Sequence, residues 1–294
     1  MTQQTIGESP ITWPNAEFTR TPYEIYTSEE IFAREQQMIF NGPTWVILGL
    51  ECEVKEPGSF TRSTVGTTPV VLSRGDDGEL YAFVNKCAHR GAQVVRELRG
   101  NKMTHSCLYH GWTYDTTGDL KVAPLSKGVM GQGGYPDGFE VEDHCLQKLK
   151  VDTHVGIVFG SLHKNPPSLR QYLGDAVADR LEMICHSPLK VWGYQRQTMA
   201  CNWKLFMENT RDMYHAPMLH AFANKFGLVN PVKQRHKVQF TNDGAHQLYS
   251  TYLRESDGAE EAGNADGSGI LGLEEPAVAQ GVGELPDGLY VNII

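Results

Sequence analysis

The sequence predicts an α+β protein of two domains, with an all-β domain over residues 42–165 and an α+β domain over residues 166–294. A segment of residues 1–41 precedes them. Short runs rich in β-branched and aromatic residues, separated by glycine turns, fill most of the first range. Stretches with helical patterning lie before and after it. A chain of 294 residues is long enough for two domains of ordinary size.

The first predicted element is a helix from Ser28 to Phe40, which Ser28 can cap and which Ile31 and Met38 can anchor. The strand predictions that follow are short β-rich runs, namely Trp45–Leu50, Val70–Ser73, Leu80–Asn85 and Gly156–Phe159. Residues 74–78 and 116–119 carry the Asp and Gly residues of tight turns, so each is expected to close a hairpin.

The second domain is expected to begin near the two prolines at 166–167. Beyond them the pattern predicts a helix over 168–185, an extended segment over 189–200 and a second helix over 202–216. A domain of strands followed by a domain that mixes helices with extended segments belongs to the α+β class.

Two short Cys/His motifs lie in the all-β region, at the expected tips of two hairpins. Cys87 and His89 form the first and Cys107 and His110 the second. Two thiolates and two imidazoles are the ligand set of a Rieske [2Fe–2S] cluster, in which the imidazoles raise the reduction potential. The same four residue types suit tetrahedral Zn²⁺. A Gly follows each His closely, so both loops can turn tightly over a cluster without Cβ clashes, and this favours the cluster.

Composition narrows the function further. No secretory signal opens the chain, and no apolar run approaches the roughly 20 residues of a membrane span. The net charge is −9, and nine acidic residues but no Lys or Arg follow Arg254. The acidic and basic residues of the rest of the chain therefore cancel. No basic patch indicates that the protein binds nucleic acid. The four remaining cysteines show no paired spacing and are expected to be free thiols of a cytoplasmic protein: Cys52, Cys145, Cys185 and Cys201.

A second cluster of candidate ligands lies in the predicted helix over 202–216. Asn209, Asp212 and His215 are spaced three residues apart and would form a polar stripe. His220 lies about 140° further round a regular helix, too far to share a metal with His215. Pro217 is expected to kink or bulge the helix and bring the two histidines together. Two His and one carboxylate form the facial triad of non-haem Fe(II) oxygenases, while a capped amphipathic helix with incidental histidines is the alternative.

Both constellations together resemble the large (α) subunit of Rieske non-haem iron ring-hydroxylating oxygenases, over nearly the whole chain. The first match is C-x-H-R-G with C-x-x-H-x-W; the second is N-W-K…E-N…D-x-Y-H-x₄-H, carried by Asn202, Trp203, Lys204, Glu208, Asn209, Asp212, Tyr214, His215 and His220. The resemblance implies a Rieske domain over 42–165, an incomplete helix-grip (START-like) catalytic domain over 166–294, and packing of residues 1–41 on the catalytic domain.

The resemblance also implies residue roles. Cys87, His89, Cys107 and His110 would bind the cluster, and His215 and His220 would bind a mononuclear Fe(II). Asp212 would connect an iron ligand to a cluster histidine of a neighbouring subunit. Asn209 would lie near the iron without being a firm ligand.

The function implied is that of a terminal oxygenase, which hydroxylates an aromatic ring with O₂ and NAD(P)H-derived electrons from a reductase, with or without a ferredoxin. A homotrimer, with or without small β subunits, is implied as well. The run 127–136 resembles the aromatic-carboxylate branch, whose substrates include terephthalate, salicylate, anthranilate and benzoate. Monooxygenation or demethylation, electron transfer through the cluster alone, and a zinc-binding module are the alternatives.

The chain departs from this family at its C-terminal side. The third iron ligand of the family is an Asp far beyond the second His, so we expect it to lie past Ile294 and the catalytic domain to be truncated. Residues 289–294 read as a strand, and residues 255–288 as an acidic, Gly-rich loop or lid. Three loop carboxylates are weaker candidates for the missing ligand, namely Asp243, Asp257 and Asp266.

Overall fold

A computed structural model describes residues 11–15, 20–212, 215–226, 234–241, 244–253 and 289–293. The acidic segment over 255–288, with the two ligand candidates Asp257 and Asp266, lies outside the described residues, as does Asp243. The described chain divides into two compact units. The first contains the residues up to Tyr172 together with Pro188–Gln195, and the second contains Leu173–Ser187 and the residues from Arg196 onward.

The N-terminal helical region is made of α1 (Glu24–Thr27) and α2 (Glu29–Glu35), and a π-helical turn over Gln36–Phe40 continues α2. The Ser28 hydroxyl accepts a hydrogen bond from the backbone N–H of Ile31 at 3.3 Å, as the capping prediction requires. The predicted helix therefore forms, but its last turn widens. Within the first unit, the Gln36 side chain accepts a bond from the backbone N–H of Thr67 at 3.0 Å.

The β structure of the first unit consists of three antiparallel sheets. Its strands are β1 (Val46–Leu50), β2 (Ser59–Val65), β3 (Thr68–Arg74), β4 (Leu80–Val84), β5 (Arg99–Asn101), β6 (Thr104–Ser106), β7 (Thr113–Asp115), β8 (Leu120–Val122), β9 (Lys150–His154) and β10 (Ile157–Ser161). The spatial orders are β4-β3-β2-β5, β6-β7-β8 and β1-β10-β9. The four strand predictions and both hairpin predictions are thereby confirmed.

Strands β3 and β4 are buried on both faces. Val71 and Phe83 pack into a core that also contains the two motif cysteines, whereas Val70 and Leu72 pack into a second core on the opposite face. Side chains alternate across a strand, so a near-continuous apolar run serves two cores at once. The sheet that carries the first metal loop is therefore fixed from both sides.

The second unit combines helices with one small sheet. Its helical segments are α3 (Leu169–Ile184, which begins in the first unit), α4 (Trp203–Arg211), α5 (His215–Leu219) and α6 (Ala221–Lys225). The antiparallel strands β11 (Gln234–Phe240), β12 (Gln247–Leu253) and β13 (Leu289–Ile293) pair in that order. The predicted C-terminal strand therefore forms and pairs with β12.

Three of the predictions for residues 168–216 need correction or refinement. The helix expected over 168–185 forms as α3 but is interrupted at Gly174, where φ is +71°. No strand forms over 189–200. The helix expected over 202–216 ends at Arg211, because Asp212 takes extended angles of φ −79° and ψ 119°. Among the described residues, no helix is both long enough and apolar enough to cross a bilayer.

Candidate metal centres

The first Cys/His loop follows β4 and is closed by two backbone hydrogen bonds. The N–H of Gly91 donates to the carbonyl of Cys87, and the N–H of Cys87 donates to the carbonyl of Ala92, both at 2.8 Å. Gly91 has a φ of +74°, a conformation that glycine adopts without the strain of a Cβ atom. The loop thus turns back on itself within six residues and presents His89 at its tip.

The second loop repeats this construction between β6 and β7. The N–H of Gly111 donates to the carbonyl of Cys107 at 2.9 Å, and the N–H of Cys107 donates to the carbonyl of Trp112 at 2.7 Å. Gly111 has a φ of +71°, and a Cβ there would lie 3.2 Å from the Pro124 ring. The sequence-based expectation that glycines allow two tight loops agrees with this geometry.

The two cysteines of these loops lie together in the core, 4% and 3% exposed for Cys87 and Cys107. Burial raises the pKa of the Cys107 thiol, and the adjacent Cys87 sulfur raises it as well. The backbone N–H groups of Tyr109 and His110, which donate to the Cys107 sulfur, lower this pKa in part. Two adjacent buried sulfurs ionise together only beside a cation, and a coordinating metal ion deprotonates its thiols outright. The pair therefore suits a metal.

Tyr114 braces the cysteine side of the site. Its hydroxyl lies 3.3 Å from the Cys87 sulfur and accepts a hydrogen bond from the backbone N–H of Ala88 at 3.1 Å. Burial raises the pKa of Tyr114, and the Cys87 sulfur raises it further, so the phenol stays protonated and can donate to a thiolate.

The two histidines meet at the other side of the loops. The Nδ1 atoms of His89 and His110 are 3.1 Å apart, a separation that fits two imidazoles bound to one metal at about 2.0–2.1 Å each. Desolvation, with the charges of His110 and Arg90, lowers the pKa of His89. A lowered pKa favours the neutral imidazole, which is the form that binds metal.

These four ligands form two pairs rather than one group. Within the described residues, no three His, Cys, Asp or Glu side chains converge on a single metal position. A Rieske cluster takes two thiolates on one iron and two imidazoles on the other, and the two pairs fit that ligand set.

Asn85 supports the first loop, and the sequence alone did not single it out. Its side chain is fully buried; Nδ2 donates to the carbonyl of Val95 at 2.8 Å. Its Oδ1 accepts from the N–H groups of Val94 at 3.1 Å and Val95 at 2.8 Å. Since Asn85 directly follows β4, these bonds tie the far side of the loop to the sheet.

The second candidate centre lies at the junction of α4 and α5. Asn202 caps α4 as predicted, its side chain accepting from the N–H of Lys204 at 3.1 Å. The helix is interrupted at Asp212, and α5 ends at Leu219, just before His220, with Pro217 in the first turn of α5. Proline is tolerated in a first helical turn, where its missing N–H is not needed.

Three of the predicted residues come together at this junction. The rings of His215 and His220 lie 5.2 Å apart at 68°. Asp212 Oδ2 is 3.4 Å from His215 Nδ1, close enough for electrostatic contact but without hydrogen-bond geometry. Asn209 is exposed on α4, and no hydrogen bond among the described residues joins it to either histidine.

Two family models match this chain, one on each part of it. The family model of the Rieske [2Fe-2S] domain matches residues 44–135, and that of the ring hydroxylating alpha subunit (catalytic domain) matches residues 178–277. The terminal oxygenase subunit α2 of terephthalate 1,2-dioxygenase from a Comamonas species is 39% identical over 292 residues, 98% of this chain and 70% of that subunit. The chain belongs to the ring-hydroxylating oxygenase α-subunit family.

Other members of this α-subunit family are matched over a smaller part of their length. The large subunit of anthranilate 1,2-dioxygenase from Burkholderia cepacia is 40% identical over 240 residues, which are 82% of this chain and 57% of that subunit. Naphthalene 1,2-dioxygenase from a Rhodococcus species bound to indole superposes with a TM-score of 0.70 at 30% identity, over 80% of this chain and 54% of that one. The chain thus spans between about half and 70% of these relatives.

Proposed function

We propose that this α-subunit family member is the terminal oxygenase of a multicomponent system that hydroxylates an aromatic ring with O₂. Electrons derived from NAD(P)H would arrive through a reductase, with or without a ferredoxin. The observation that carries the proposal is the division of the four Rieske ligands into a buried thiol pair and an imidazole pair, in a chain that also pairs His215 with His220.

The domain boundaries proposed from the sequence each enclose one of the two family matches. Residues 42–165 would form the Rieske domain around the match at 44–135, and residues 166–294 would belong to the catalytic domain around the match at 178–277. Residues 1–41 would form a separate N-terminal segment, and the part of it that the structure describes belongs to the first compact unit.

The residues of the first centre would hold a [2Fe–2S] cluster, with Cys87 and Cys107 on one iron and His89 and His110 on the other. Such a cluster supplies one electron at a time to the iron centre when it is bound. The side chains keep its cysteine side dry and its histidine side near the surface, since both cysteines are buried and His110 is exposed. An electron donor or acceptor would therefore approach from the histidine side.

The residues of the second centre would hold a mononuclear Fe(II) through His215 and His220. Asp212 faces Nδ1 of His215 at 3.4 Å, so its carboxylate favours a proton on that nitrogen and leaves the other nitrogen for the metal. Asn209, one helical turn before Asp212, would lie beside this centre as a polar neighbour.

The assembly proposed is a head-to-tail homotrimer, and the accessibility of two of these residues supports it. The Asp212 side chain keeps 46% of its surface accessible, and His110 is exposed at the loop tip. A carboxylate and an imidazole that are both accessible can pair across a subunit boundary, as a head-to-tail homotrimer would require. Small β subunits are proposed only as optional partners, and the protein is proposed to be cytoplasmic.

The substrate proposed is an aromatic carboxylate. Relatives named for anthranilate, terephthalate and salicylate are 37–40% identical to the chain. Binding such a substrate needs a cationic side chain or strong donors for its carboxylate.

The test begins with the chain purified without oxygen. Iron and sulfide analysis, together with the EPR spectrum after reduction, would show a Rieske cluster in the wild type and in His215→Ala, but not in Cys107→Ser. Bound mononuclear iron should be lost in His215→Ala. A colourless wild type would refute the cluster assignment and with it the proposed function.

Turnover with a reductase and labelled O₂ identifies the reaction. Incorporation of both oxygen atoms from one O₂ into an aromatic acid supports dioxygenation, whereas one atom indicates the monooxygenase or demethylase alternative. Conversion of an uncharged arene but of no aromatic acid would refute the substrate class.

A second candidate function, electron transfer through the cluster alone, is favoured by one observation. The described residues provide two imidazoles at the second centre and no third ligand that converges with them. This candidate predicts a complete cluster signal without mononuclear iron, so the same metal analysis separates it from the oxygenase.

A further inference from the structure

An aromatic cage surrounds the indole of Trp112, directly behind the second metal loop. Trp112 is buried, and three rings from residues 135–144 meet it edge-on. The centroid distances are 6.0 Å to Tyr135, 5.9 Å to Phe139 and 5.5 Å to His144, at angles of 71–75°. Such edge-to-face contacts favour one orientation of the indole plane.

Among the described residues, one polar contact fixes the rotation of that indole. The Nε1–H of Trp112 donates to the hydroxyl of Tyr135 at 2.9 Å. A buried indole N–H needs a partner, because an unsatisfied buried donor is costly. The Tyr135 hydroxyl therefore decides where the polar edge of the indole points.

Tyr135 is itself held by a tightly closed loop. Its backbone N–H donates to the carbonyl of Ser126 at 2.9 Å, and Val129 and Gln132 exchange two backbone bonds at 3.0 Å between them. Gly134 has a φ of +110°, and a Cβ there would lie 2.7 Å from the Ser126 carbonyl oxygen. The position of the Tyr135 backbone is thus set by the loop and not by the metal site.

The indole in turn supports one of the two histidines. The imidazole of His89 stacks on Trp112 with a centroid distance of 5.1 Å and an angle of 12°. His110 instead lies against Tyr109, with 3.9 Å between ring centroids. The aromatic cage around Trp112 therefore supports His89, whereas His110 packs against Tyr109.

We propose that Tyr135 is a positioning residue for His89: its hydroxyl fixes the plane of the Trp112 indole, and that plane fixes the His89 imidazole. This inference rests on the proposed cluster site and identifies a structural role for the run over 127–136, which the sequence had associated only with a substrate branch. Tyr135 touches neither metal loop histidine and acts through the indole alone.

A double-mutant cycle tests the proposal on the intact chain with its cluster. Tyr135→Phe removes the hydroxyl, and Trp112→Phe removes the indole N–H while keeping an aromatic ring. We expect Tyr135→Phe to shift the g-values of the reduced cluster and to speed cluster loss to a chelator by about 2- to 10-fold, the range of one net hydrogen bond. In the Trp112→Phe background the same substitution should change neither quantity.

The control is Tyr194→Phe, which loses a hydroxyl hydrogen bond of the same length, 2.9 Å, to Glu53 in the same unit. It is expected to lower thermal stability without moving the g-values. Wild-type g-values and loss rate in Tyr135→Phe would overturn the proposal, and so would equal effects in both backgrounds. A wild type without any cluster would overturn the proposed function itself, which keeps the two failures apart.

Discussion

Asn85→Ala is expected to destabilise the first unit severely. The side chain makes three hydrogen bonds to the backbone of Val94 and Val95, both of which are buried. A net hydrogen bond contributes about 0.5–1.5 kcal/mol, and a buried backbone group left without a partner costs about 1–3 kcal/mol. Three such losses give an expected decrease of roughly 3–5 kcal/mol in the free energy of unfolding, a large part of the 5–15 kcal/mol that a domain typically has.

The assay is urea unfolding followed by the visible absorbance of the cluster and by tryptophan fluorescence. Asn101→Ala is the matched control, since its amide nitrogen also donates twice, to the Pro57 carbonyl at 2.9 Å and the Ser59 hydroxyl at 3.2 Å, but on an exposed residue. Water replaces those bonds, so the control should change stability by about 0.5 kcal/mol or less. A loss below about 1 kcal/mol in Asn85→Ala, or equal losses in both variants, would refute the reasoning.

Three further predictions concern the same unit. Tyr114→Phe removes a hydrogen-bond donor to the Cys87 sulfur, so the reduction potential of the cluster should fall by on the order of 50 mV, since 59 mV corresponds to a tenfold change in a one-electron equilibrium. An unchanged or raised potential in a redox titration would contradict this prediction. The hydrogen bond to Asp77 raises the pKa of Tyr81 from 10.0 to about 12, so the stabilisation is complete below pH 10 and is lost as the pH rises towards 12. In Tyr81→Phe the melting temperature should therefore fall less steeply with pH over this range than in the wild type. Equally steep pH dependence in both proteins would count against a stabilising Tyr81–Asp77 hydrogen bond. Gly111→Ala places a β-carbon on a residue with φ +71°, 3.2 Å from a proline ring. The free energy of unfolding should fall by about 1–3 kcal/mol, and the cluster should be retained less well. Full cluster retention after gel filtration would exclude this strain.

The cluster site could be predicted from the sequence because its chemistry is local. Each loop needs a thiol, an imidazole two or three residues later and a glycine with positive φ, and these requirements leave a short, readable pattern. Strands such as β3 and β4 were equally readable, because burial on both faces demands a continuous apolar run.

The supporting residues could not be predicted in the same way. Asn85 reads as an ordinary polar residue at a strand end, and only the fold brings Val94 and Val95 to its amide. Tyr135 lies 23 residues from the indole that it contacts, in a glycine-rich run without a strand or helix period. Contacts across such separations leave no local signal.

The end of α4 was missed for a different reason. The spacing of Asn209, Asp212 and His215 fits a helical stripe, so periodicity alone extended the helix past Arg211. Asp is a weak former of helix interiors, since its short side chain competes for local hydrogen bonds, and here it adopts extended angles. His220 lies just past the end of α5 at Leu219, so the angular spacing of a regular helix does not apply between the two histidines.

The two metal loops divide their ligands in a way that bears on how the protein is made. Each loop offers one thiol and one imidazole, yet the thiols pair with each other and the imidazoles pair with each other across the loops. With the proposed ligands, neither loop alone would complete the ligand pair of either iron. Cluster insertion would then require that the chain extend past Gly111 and that both hairpins come together. Colour in the purified protein would then report the joint folding of two hairpins, not the presence of either one.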